Sequence, residues 1–402
     1  MLSQENKGIG TQPDKVFVGT ILDDGDVLVQ LYEIDLEWFL VIKIPNHKEL
    51  EIGIGDLDIT SSILHDGCFW FAGFLDCIST VCYVDLGSGR LNRLHHTSLD
   101  FVTIDRFQII NDKLFAHGQS FVQKDLTFLI KKDQVEPQNK ILGKVSSLWT
   151  DTGGDWRLHS YLVEPERADY SRNKLVMTGY GGFGISQRPR YSQFITGLLN
   201  ANIAFVMVNL KGGLEYGPRG YYAGQVSGKA SASTDMESVR QNLFELGFQK
   251  AGITGYSHGA VMALSTVLRH PSTYAGVLLS DGPYDLEGLG RYEHETHWFD
   301  DYGDPKTDHG MKAIRSWGPF FQTLPKRLPR TLFMVNRQDE VVSPEHTERF
   351  VDYLRKSGLG ESVDVSSFQR GHFDINLAGH REKLQARIRF FIDTLSESQS
   401  LM

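Results

Sequence analysis

Cysteine is scarce in this sequence, and both long basic runs and long apolar runs are missing. Of the 402 residues only three are cysteines, Cys68, Cys77 and Cys82. An odd and sparse set argues against a disulfide framework and favours a reducing, cytoplasmic compartment. A metal site would need a fourth ligand such as His65, and no CxxC spacing is present. We therefore expect buried strand cysteines and no bound metal.

Charge and hydropathy argue against two classes of partner. The chain has 41 Lys and Arg against 50 Asp and Glu, a net charge of -9, so it offers little to nucleic acid or to an anionic membrane. Nowhere do 18 or more apolar residues follow one another, and the start, MLSQENKGIG, has neither a basic segment nor an apolar run. We expect no nucleic-acid partner, no membrane association and no cleaved secretion signal.

The first 145 residues consist largely of short β runs separated by the turn signals DDGD, HDG and GSGR, which is typical of antiparallel meanders. The runs are KVFVGTIL, VLVQLYEI, WFLVIKI, CFWFAGFL and STVCYVDL. A propeller blade takes about 40–45 residues, so about three blades fit here and a closed propeller does not. We expect residues 1–145 to form a small antiparallel domain, a truncated propeller-like cap next to an active-site mouth. Its strand edges need cover from the second domain or from a homodimer.

Residues 146–402 alternate apolar β runs with helical stretches. The helix candidates are 235–246, 260–268 and 344–356, and strand candidates such as IAFVMVNL, AGVLLSD and RTLFMVN lie around them. Short, nearly uninterrupted apolar strands between helices predict a mostly parallel sheet that is covered on both faces. This part is therefore predicted to be a doubly wound α/β domain.

A G-x-S-x-G motif, Gly255 to Gly259 with Ser257 at its centre, directly follows an apolar strand and directly precedes an Ala/Leu/Val helix. Small neighbours let the backbone turn sharply and lift the serine hydroxyl above the sheet, so this context predicts a nucleophile elbow and the α/β-hydrolase fold. The alternative, an ordinary glycine turn, does not require a strand before it and a helix after it.

A serine hydroxyl needs a base, and the base needs an orienting acid. Asp339 follows the apolar run 331–335, with Glu340 as a rival, and His372 follows the next strand, 363–368. Both positions lie where a parallel strand ends, the edge at which catalytic groups of open α/β sheets gather. Either residue could instead be an ordinary polar loop residue.

Acyl transfer also requires hydrogen-bond donors for a developing oxyanion. One is normally the backbone N–H of the residue after the nucleophile, here His258. The second usually comes from an earlier strand-end loop, and the glycine-rich segment 178–184 follows the strand NKLVMTGY. Its glycines permit close backbone approach, although such a loop needs no function.

Six motifs occur in order: YGGFGIS followed by a Pro and a Tyr, VNLKGGLEYG with AG shortly after it, GYSHG, WFDDYG, DEVVSPEH and GHF. This set resembles that of the prolyl oligopeptidase family of serine peptidases, over residues 145 to 395. The resemblance implies Ser257, Asp339 and His372 as the catalytic triad. It also implies the Tyr180 hydroxyl as an oxyanion donor beside the His258 amide.

The resemblance further implies a pocket for the residue that precedes the cleaved bond. Its implied lining is Phe183, Trp298, Tyr302 and Val342. In the family this aromatic box accepts a proline ring, and flat aromatic faces stack well on a compact pyrrolidine. The same aromatics could instead simply contribute to the domain core.

Three features depart from the family's pattern. His258 stands where the proline-specific members carry Asn, and Val341 stands where they carry an Arg that helps to hold the substrate backbone. The third is the N-terminal β region, which is much shorter than the family's seven-bladed propeller. A complete propeller excludes folded proteins from the active site, which a partial cap cannot do in the same way.

Together these residues predict a serine hydrolase without a cofactor, acting on a peptide or peptide-like bond after proline or a small apolar residue. One alternative is an esterase, thioesterase or acyl transferase that acts on a small peptide metabolite, which the absent Arg and the short β region favour. Another is a catalytically idle binding protein on the same fold. The ordered Ser, Asp and His argue against the idle protein.

Overall fold

A computed structural model describes residues 15–45, 49–153, 155–166, 173–373 and 377–396. The chain divides into two compact units. The β unit comprises Met1–Gly118, Asp125–Lys140 and Leu214–Arg219, and the α/β unit comprises Gln119–Lys124, Ile141–Gly213 and Gly220–Met402. Compactness alone does not test independent folding, so the domain boundary at residue 145 stays a prediction.

The described residues of the β unit form three antiparallel sheets of four strands each, which confirms the prediction of a small propeller-like domain. The strands are β1 Val16–Asp23, β2 Leu28–Ile34, β3 Glu37–Lys43, β4 Leu50–Gly55, β5 Asp58–His65, β6 Cys68–Leu75, β7 Ile78–Asp85, β8 Leu91–Leu94, β9 Thr103–Ile110, β10 Lys113–Gln119, β11 Leu126–Lys131 and β12 Gln134–Pro137. The first sheet has the order β1-β2-β3-β4, the second β5-β6-β7-β8 and the third β12-β11-β10-β9. Three blades of this size agree with the length of the region.

Tight hairpins explain how so short a region accommodates twelve strands. Four of the connections are two-residue turns in which both residues have positive φ, the conformation that matches the right-handed twist of the flanking strands. They are Asp35–Leu36, Asp66–Gly67, Asp76–Cys77 and Asn111–Asp112. Leu36, at φ 65°, and Cys77, at φ 62°, adopt this left-handed conformation without being glycine. The hairpin geometry there outweighs a local conformational cost.

The core of the β unit is apolar and lies between its sheets. Every residue of β6 from Cys68 to Phe74 is buried, so this strand is covered on both faces. The rings of Phe69 and Phe71 stack with their centroids 5.3 Å apart. Cys68 and Cys82 are free, buried strand thiols as predicted, whereas Cys77 lies in a turn. Burial raises the pKa of the Cys82 thiol to about 12, so this thiol stays protonated.

The α/β unit is built on one eight-stranded sheet with helices around it. Its strands are β13 Lys144–Asp151, β14 Arg157–Glu164, β15 Lys174–Gly179, β16 Ala204–Val208, β17 Lys250–Tyr256, β18 Gly276–Ser280, β19 Arg330–Asn336 and β20 Val363–Phe368. Its helices are α1 Gln193–Asn200, α2 Gly217–Ala223, α3 Ala232–Glu245, α4 His258–Arg269, α5 Phe299–Tyr302, α6 Asp308–Trp317, α7 Pro344–Lys356 and α8 Leu377–Ser396, and α2 begins in the β unit.

The sheet order is β13-β14-β16-β15-β17-β18-β19-β20. Six neighbouring strands in this order are parallel, namely β16-β15-β17-β18-β19-β20. The remaining pairs, β13 with β14 and β14 with β16, are antiparallel. A Cβ on Gly252 would meet Phe391 of α8, whereas a Cβ on Gly255 would meet Gly259 of α4. Because residues an odd number apart point to opposite faces of a strand, helices cover both faces. The predicted doubly wound, mostly parallel sheet is confirmed.

The parallel strands end at one edge of the sheet, and this edge collects the polar loops. Five loops begin directly after parallel strands of the sheet. In the order β15, β17, β18, β19 and β20, they carry Tyr180, Ser257, Asp281, Asp339 and His372. Carboxyl ends of parallel strands point the same way, so side chains far apart in sequence converge there. The candidate site lies at this edge.

Candidate active site

Ser257 lies at a sharp turn between β17 and α4. Its backbone has φ 55° and ψ -128°, in a region that non-glycine residues rarely adopt. The Ser257 N–H donates to the carbonyl of Ser280 at 2.9 Å, and the Ser257 carbonyl accepts the N–H of Ala260 at 2.9 Å. The turn is thus fixed on both sides.

The glycines of the motif are required by close backbone approach. A Cβ on Gly255 would lie 2.1 Å from the carbonyl oxygen of Gly259, and a Cβ on Gly259 would lie 2.8 Å from the carbonyl oxygen of Gly179. Real Cβ atoms do not tolerate such distances, so only glycine lets the strand, the helix and the β15 loop meet here. The motif's spacing therefore has a steric reason in this chain.

Asp339 and His372 form a buried pair, in which Nδ1 of His372 lies 2.6 Å from Oδ2 of Asp339. The other oxygen, Oδ1, accepts the backbone N–H groups of Val341 at 2.9 Å and Val342 at 2.8 Å. A carboxylate only accepts, so Nδ1 of His372 carries the proton and Nε2 is left as the basic nitrogen. Glu340, the rival acid, instead lies beside the backbone of Gly371.

Side chains from three elements hold the loop that carries His372. The Tyr256 hydroxyl donates to the carbonyl of His372, and the Tyr256 ring lies 4.8 Å from the imidazole. Nδ2 of Asn336 donates to the carbonyl of Gly371 at 3.2 Å. Nζ of Lys383, on α8, in turn donates to Oδ1 of Asn336 at 3.1 Å. The imidazole is therefore oriented through its backbone as well as through Asp339.

Two donor groups lie beside Ser257. The Tyr180 hydroxyl lies near the Ser257 side chain, and both residues line the same cavity. Burial is the main reason why the pKa of Tyr180 rises to about 12, so this hydroxyl keeps its proton at neutral pH. The backbone N–H of His258 belongs to the first turn of α4, where N–H groups lack an intrahelical acceptor. This pairing of donors can stabilise an oxyanion.

Ser257 and His372 line one cavity of about 350 Å³ together with Tyr180. All four residues of the predicted substrate pocket line the same cavity, namely Phe183, Trp298, Tyr302 and Val342. The ring of Phe183 lies edge-on to Tyr302 at 5.4 Å, and Trp298 lies edge-on to Tyr302 at 6.4 Å. The structure thus brings every sequence-predicted site residue to one place, apart from the ring of His258, which lies behind the cavity wall.

The site thus combines a serine at a strained turn, an oriented imidazole, two donors and an apolar aromatic cavity. This arrangement can support nucleophilic acyl transfer. Among the described residues, no group of three or more His, Cys, Asp or Glu side chains could hold a metal ion. Within the same residues, no helix is long and apolar enough to cross a membrane.

The sequence profile of the prolyl oligopeptidase family matches residues 189–398, which is more than half of the chain. The chain belongs to the prolyl oligopeptidase family. The matched range includes α1 and β16 through α8, with Ser257, Asp339 and His372 inside it. The glycine-rich loop with Tyr180 lies just before the matched range.

Other members of the family are similar at modest identity. A dual function macrocyclase-peptidase POPB from Amanita bisporigera is 29% identical over 186 residues, 45% of this chain and 26% of that protein. A prolyl endopeptidase from Dictyostelium discoideum is 27% identical over 196 residues, 47% of this chain and 26% of that protein. The matched segment therefore spans about a quarter of these relatives.

Solved prolyl oligopeptidase structures share the fold of nearly the whole chain. Prolyl oligopeptidase B from Galerina marginata, bound to a 25mer macrocyclization substrate, matches with a TM-score of 0.78 at 16% identity. The superposition covers 95% of this chain and 57% of that one. A prolyl endopeptidase matches with a TM-score of 0.75 at 16% identity, over 96% of this chain and 67% of the other.

Reasoning from the prolyl oligopeptidase motifs did not single out every residue at the site. Ile185, Pro283 and Phe373 also line the cavity. Phe373 is the last residue of the GHF motif, so its position was available as a signal. A second omission is the buried ion pair of Lys229 with Asp301. Asp301 lies inside the WFDDYG motif, but no feature of the sequence links it to a lysine 72 positions earlier.

Proposed function

We propose that this protein is a serine hydrolase of the prolyl oligopeptidase type, which cleaves a peptide or peptide-like bond after proline or a small apolar residue. The observation that carries the proposal is the strained Ser257 in one cavity with His372, whose Nδ1 lies 2.6 Å from Asp339. Membership of the family supports the same reaction class.

In the proposed reaction, Oγ of Ser257 attacks the scissile carbonyl carbon and its proton passes to Nε2 of His372. Tyr180 and the His258 N–H hold the oxyanion, and Asp339 stabilises the imidazolium that forms. The bond to the leaving amine or alcohol then breaks, and His372 returns its proton to that group. Water attacks the acyl-enzyme by the same proton path and restores Ser257.

The apolar cavity supports the proposed selectivity. Aromatic and aliphatic side chains line it next to Ser257, and none of the described residues that line it carries a carboxylate. A proline ring can stack on such faces, whereas a basic side chain would be desolvated there without a partner. Trp298 is only half-buried and therefore offers an indole face to a substrate.

A second candidate function, as an esterase, thioesterase or acyl transferase, is favoured by one observation. Val341 lines the cavity at the position where proline-specific relatives carry the arginine that holds a peptide backbone. An aliphatic side chain cannot make that hydrogen bond, and activated esters depend on it less than amides do. The name macrocyclase-peptidase of the Amanita relative also fits an acyl-enzyme that an amine can resolve.

The test is a panel of N-acyl aminoacyl p-nitroanilides and thioesters with proline, alanine or arginine next to the leaving group. We expect kcat/KM for the proline anilide to exceed that for alanine at least tenfold, with arginine cleaved worst. Cleavage of thioesters alone would favour the second candidate. Arginine cleaved best, or no cleavage at all, would contradict the proposal.

Trp298→Ala in the same panel tests the pocket. Losing the indole face should reduce the preference for proline over alanine by about 10- to 100-fold, the range for modest changes in an apolar pocket. Trp149→Ala is the matched control, because Trp149 is also half-buried but lies on β13 against His159. An unchanged preference in Trp298→Ala would exclude this pocket.

A further inference from the structure

The loop that carries Tyr180 and Phe183 has one internal backbone hydrogen bond, from the N–H of Ile185 to the carbonyl of Gly182 at 3.0 Å. Gly181, Phe183 and Gly184 all have positive φ, at 69°, 58° and 64°. Phe183 is not glycine, so its conformation costs free energy that its surroundings must offset. The backbone carbonyl of Gly181 and the backbone N–H of Phe183 hydrogen-bond with three buried side chains outside the proposed triad.

Two of these side chains bind the carbonyl of Gly181. Nζ of Lys229 donates to it at 3.0 Å, and Nε2 of His258 lies 3.2 Å from it. Because a carbonyl only accepts, Nε2 of His258 carries the proton. Nδ1 of His258 then accepts from the hydroxyl of Tyr302 at 2.9 Å. Burial and the nearby Lys229 charge lower the pKa of His258 far below its usual value, in agreement with a neutral ring.

The third side chain, Asp301, binds the other end of the loop. Its Oδ2 accepts the N–H of Phe183 at 2.7 Å, and its Oδ1 pairs with Lys229. Asp301 is 2% exposed, Lys229 2% and His258 1%. Removing the charges of Lys229 and Asp301 from water is costly, so stability alone does not explain this buried pair.

We propose that Lys229, Asp301 and His258 are positioning residues that form a clamp on residues 181–183. The clamp fixes the Tyr180 hydroxyl and the Phe183 ring with one set of hydrogen bonds. The clamp therefore couples oxyanion stabilisation to selectivity. This inference rests on the proposed function. Through its hydrogen bond with Tyr302, His258 extends the clamp to a second lining residue of the cavity, whose ring packs edge-on against Phe183 at 5.4 Å.

The clamp explains a steric feature of the loop. A Cβ on Gly182 would lie 2.6 Å from Cδ2 of His258 and 3.1 Å from Nζ of Lys229. The loop therefore lies directly on the clamp, and only glycine fits between them. An imidazole at position 258 also reaches two partners at once, through Nε2 and Nδ1.

Amide hydrogen exchange of the peptide that spans residues 178–186 tests the clamp in the wild-type chain. We expect the Phe183 N–H to be protected at least 100-fold relative to an unstructured peptide. Exchange of this amide at the unstructured rate would overturn the proposal. This measurement needs neither a variant nor catalysis.

Two variants extend the test, Asp301→Asn and His258→Asn. Each should accelerate exchange in this peptide about tenfold or more and lower kcat. Each should also reduce the proline-to-alanine preference severalfold, with activities expressed per active site titrated by a fluorophosphonate. Glu237→Gln is the matched control, because it removes a carboxylate of similar burial whose partner, Arg240, lies on the same helix α3.

A merely structural role would reduce the number of active sites without changing selectivity or kcat per site, as we expect for Glu237→Gln. Unchanged selectivity, or unchanged kcat per site, in a folded Asp301→Asn or His258→Asn chain would overturn the clamp. If neither variant folds, the wild-type exchange measurement still decides. If the wild-type chain cleaves no substrate, the proposed function fails. The affinities of the Ser257→Ala and Ser257→Ala/His258→Asn chains for N-acetylprolinamide are then compared, and the difference decides whether the clamp shapes the cavity.

Discussion

The described ion pairs differ between the two units: those of the β unit are exposed to solvent, whereas the α/β unit has both exposed and buried pairs. In the β unit, an ion pair such as Lys131 with Glu136 remains accessible to solvent, at 48% and 32% side-chain exposure. In the α/β unit, Lys229 and Asp301 pair next to the candidate site, and their side chains alone are 1% and 3% exposed. Exposed pairs contribute about 0–1 kcal/mol, whereas a buried charge costs several kcal/mol to desolvate.

This difference teaches where the chain departs from what stability alone would favour. The β unit is explained by apolar burial, at about 25 cal/mol per Å². The α/β unit contains, in addition, a serine in a region of φ and ψ that non-glycine residues rarely adopt, and several buried carboxylates at one edge of its sheet. Such departures cluster where geometry matters more than stability, and they mark the candidate site.

The largest expected effect comes from His372→Ala. Removing the base should lower kcat by about a millionfold, since a triad of this type acts as a unit. Thermal unfolding should stay within a few degrees of wild type, because the N–H groups of Val341 and Val342 still hydrogen-bond the Asp339 carboxylate. Single-turnover kinetics with a proline anilide checks it. Retention of more than a thousandth of the wild-type rate would remove His372 from the mechanism.

Tyr180→Phe should have the next largest effect. It removes one hydroxyl and keeps the ring, so kcat should fall about 10²–10³-fold, the loss found for one oxyanion donor. The comparison is with Tyr256→Phe, which loses a hydroxyl bound to a backbone carbonyl instead. Steady-state kinetics of both variants measures the difference. Equal, small losses in the two would contradict the oxyanion role.

Leu40→Ala tests the opposite side of the comparison. Leu40 is fully buried on β3, so its truncation should lower the free energy of unfolding of the β unit by about 2–5 kcal/mol. The chemistry should not change, and kcat per titrated site on a short anilide should stay within twofold. Urea unfolding and active-site titration measure the two quantities. A large change of kcat in a folded variant would contradict the claim that the core of the β unit affects stability and not the chemistry.

The smallest expected effect concerns pH. Burial lowers the pKa of His159 to about 4, below its ordinary value of 6.5. The unfolded chain therefore takes up this proton first, and stability falls as pH drops from 6.5 towards 4. Between pH 7 and 5 the wild-type chain should lose about 1–2 kcal/mol more than His159→Gln, as measured by urea unfolding. Parallel curves for the two chains would contradict the burial argument.

Local signals in the sequence predicted the elements well where end signals are strong. Helix α7 has the predicted bounds because Ser343 caps it, Pro344 begins it, and Arg355 and Lys356 occupy its last turn. The choice between Asp339 and Glu340 lay beyond spacing arguments, since the two are adjacent. Only the fold turns Asp339 towards His372.

Long-range charge pairing was the least accessible feature. Lys229 and Asp301 carry no periodicity or spacing that joins them, and either would read as a surface residue in isolation. Their burial follows from the positions of α5 and of the segment Val226–Ser231 relative to the β15 loop. The sequence motifs therefore predicted the residues that face the cavity and not those that hold them.

The most direct test of the central claim is the intact mass of the chain after treatment with a fluorophosphonate, followed by peptide mapping. A nucleophilic Ser257 predicts one adduct per chain, on the peptide that contains Ser257, and none on Ser257→Ala or in wild type that was first denatured. Absence of an adduct on the folded wild-type chain, or an equal adduct on Ser257→Ala, would contradict the account.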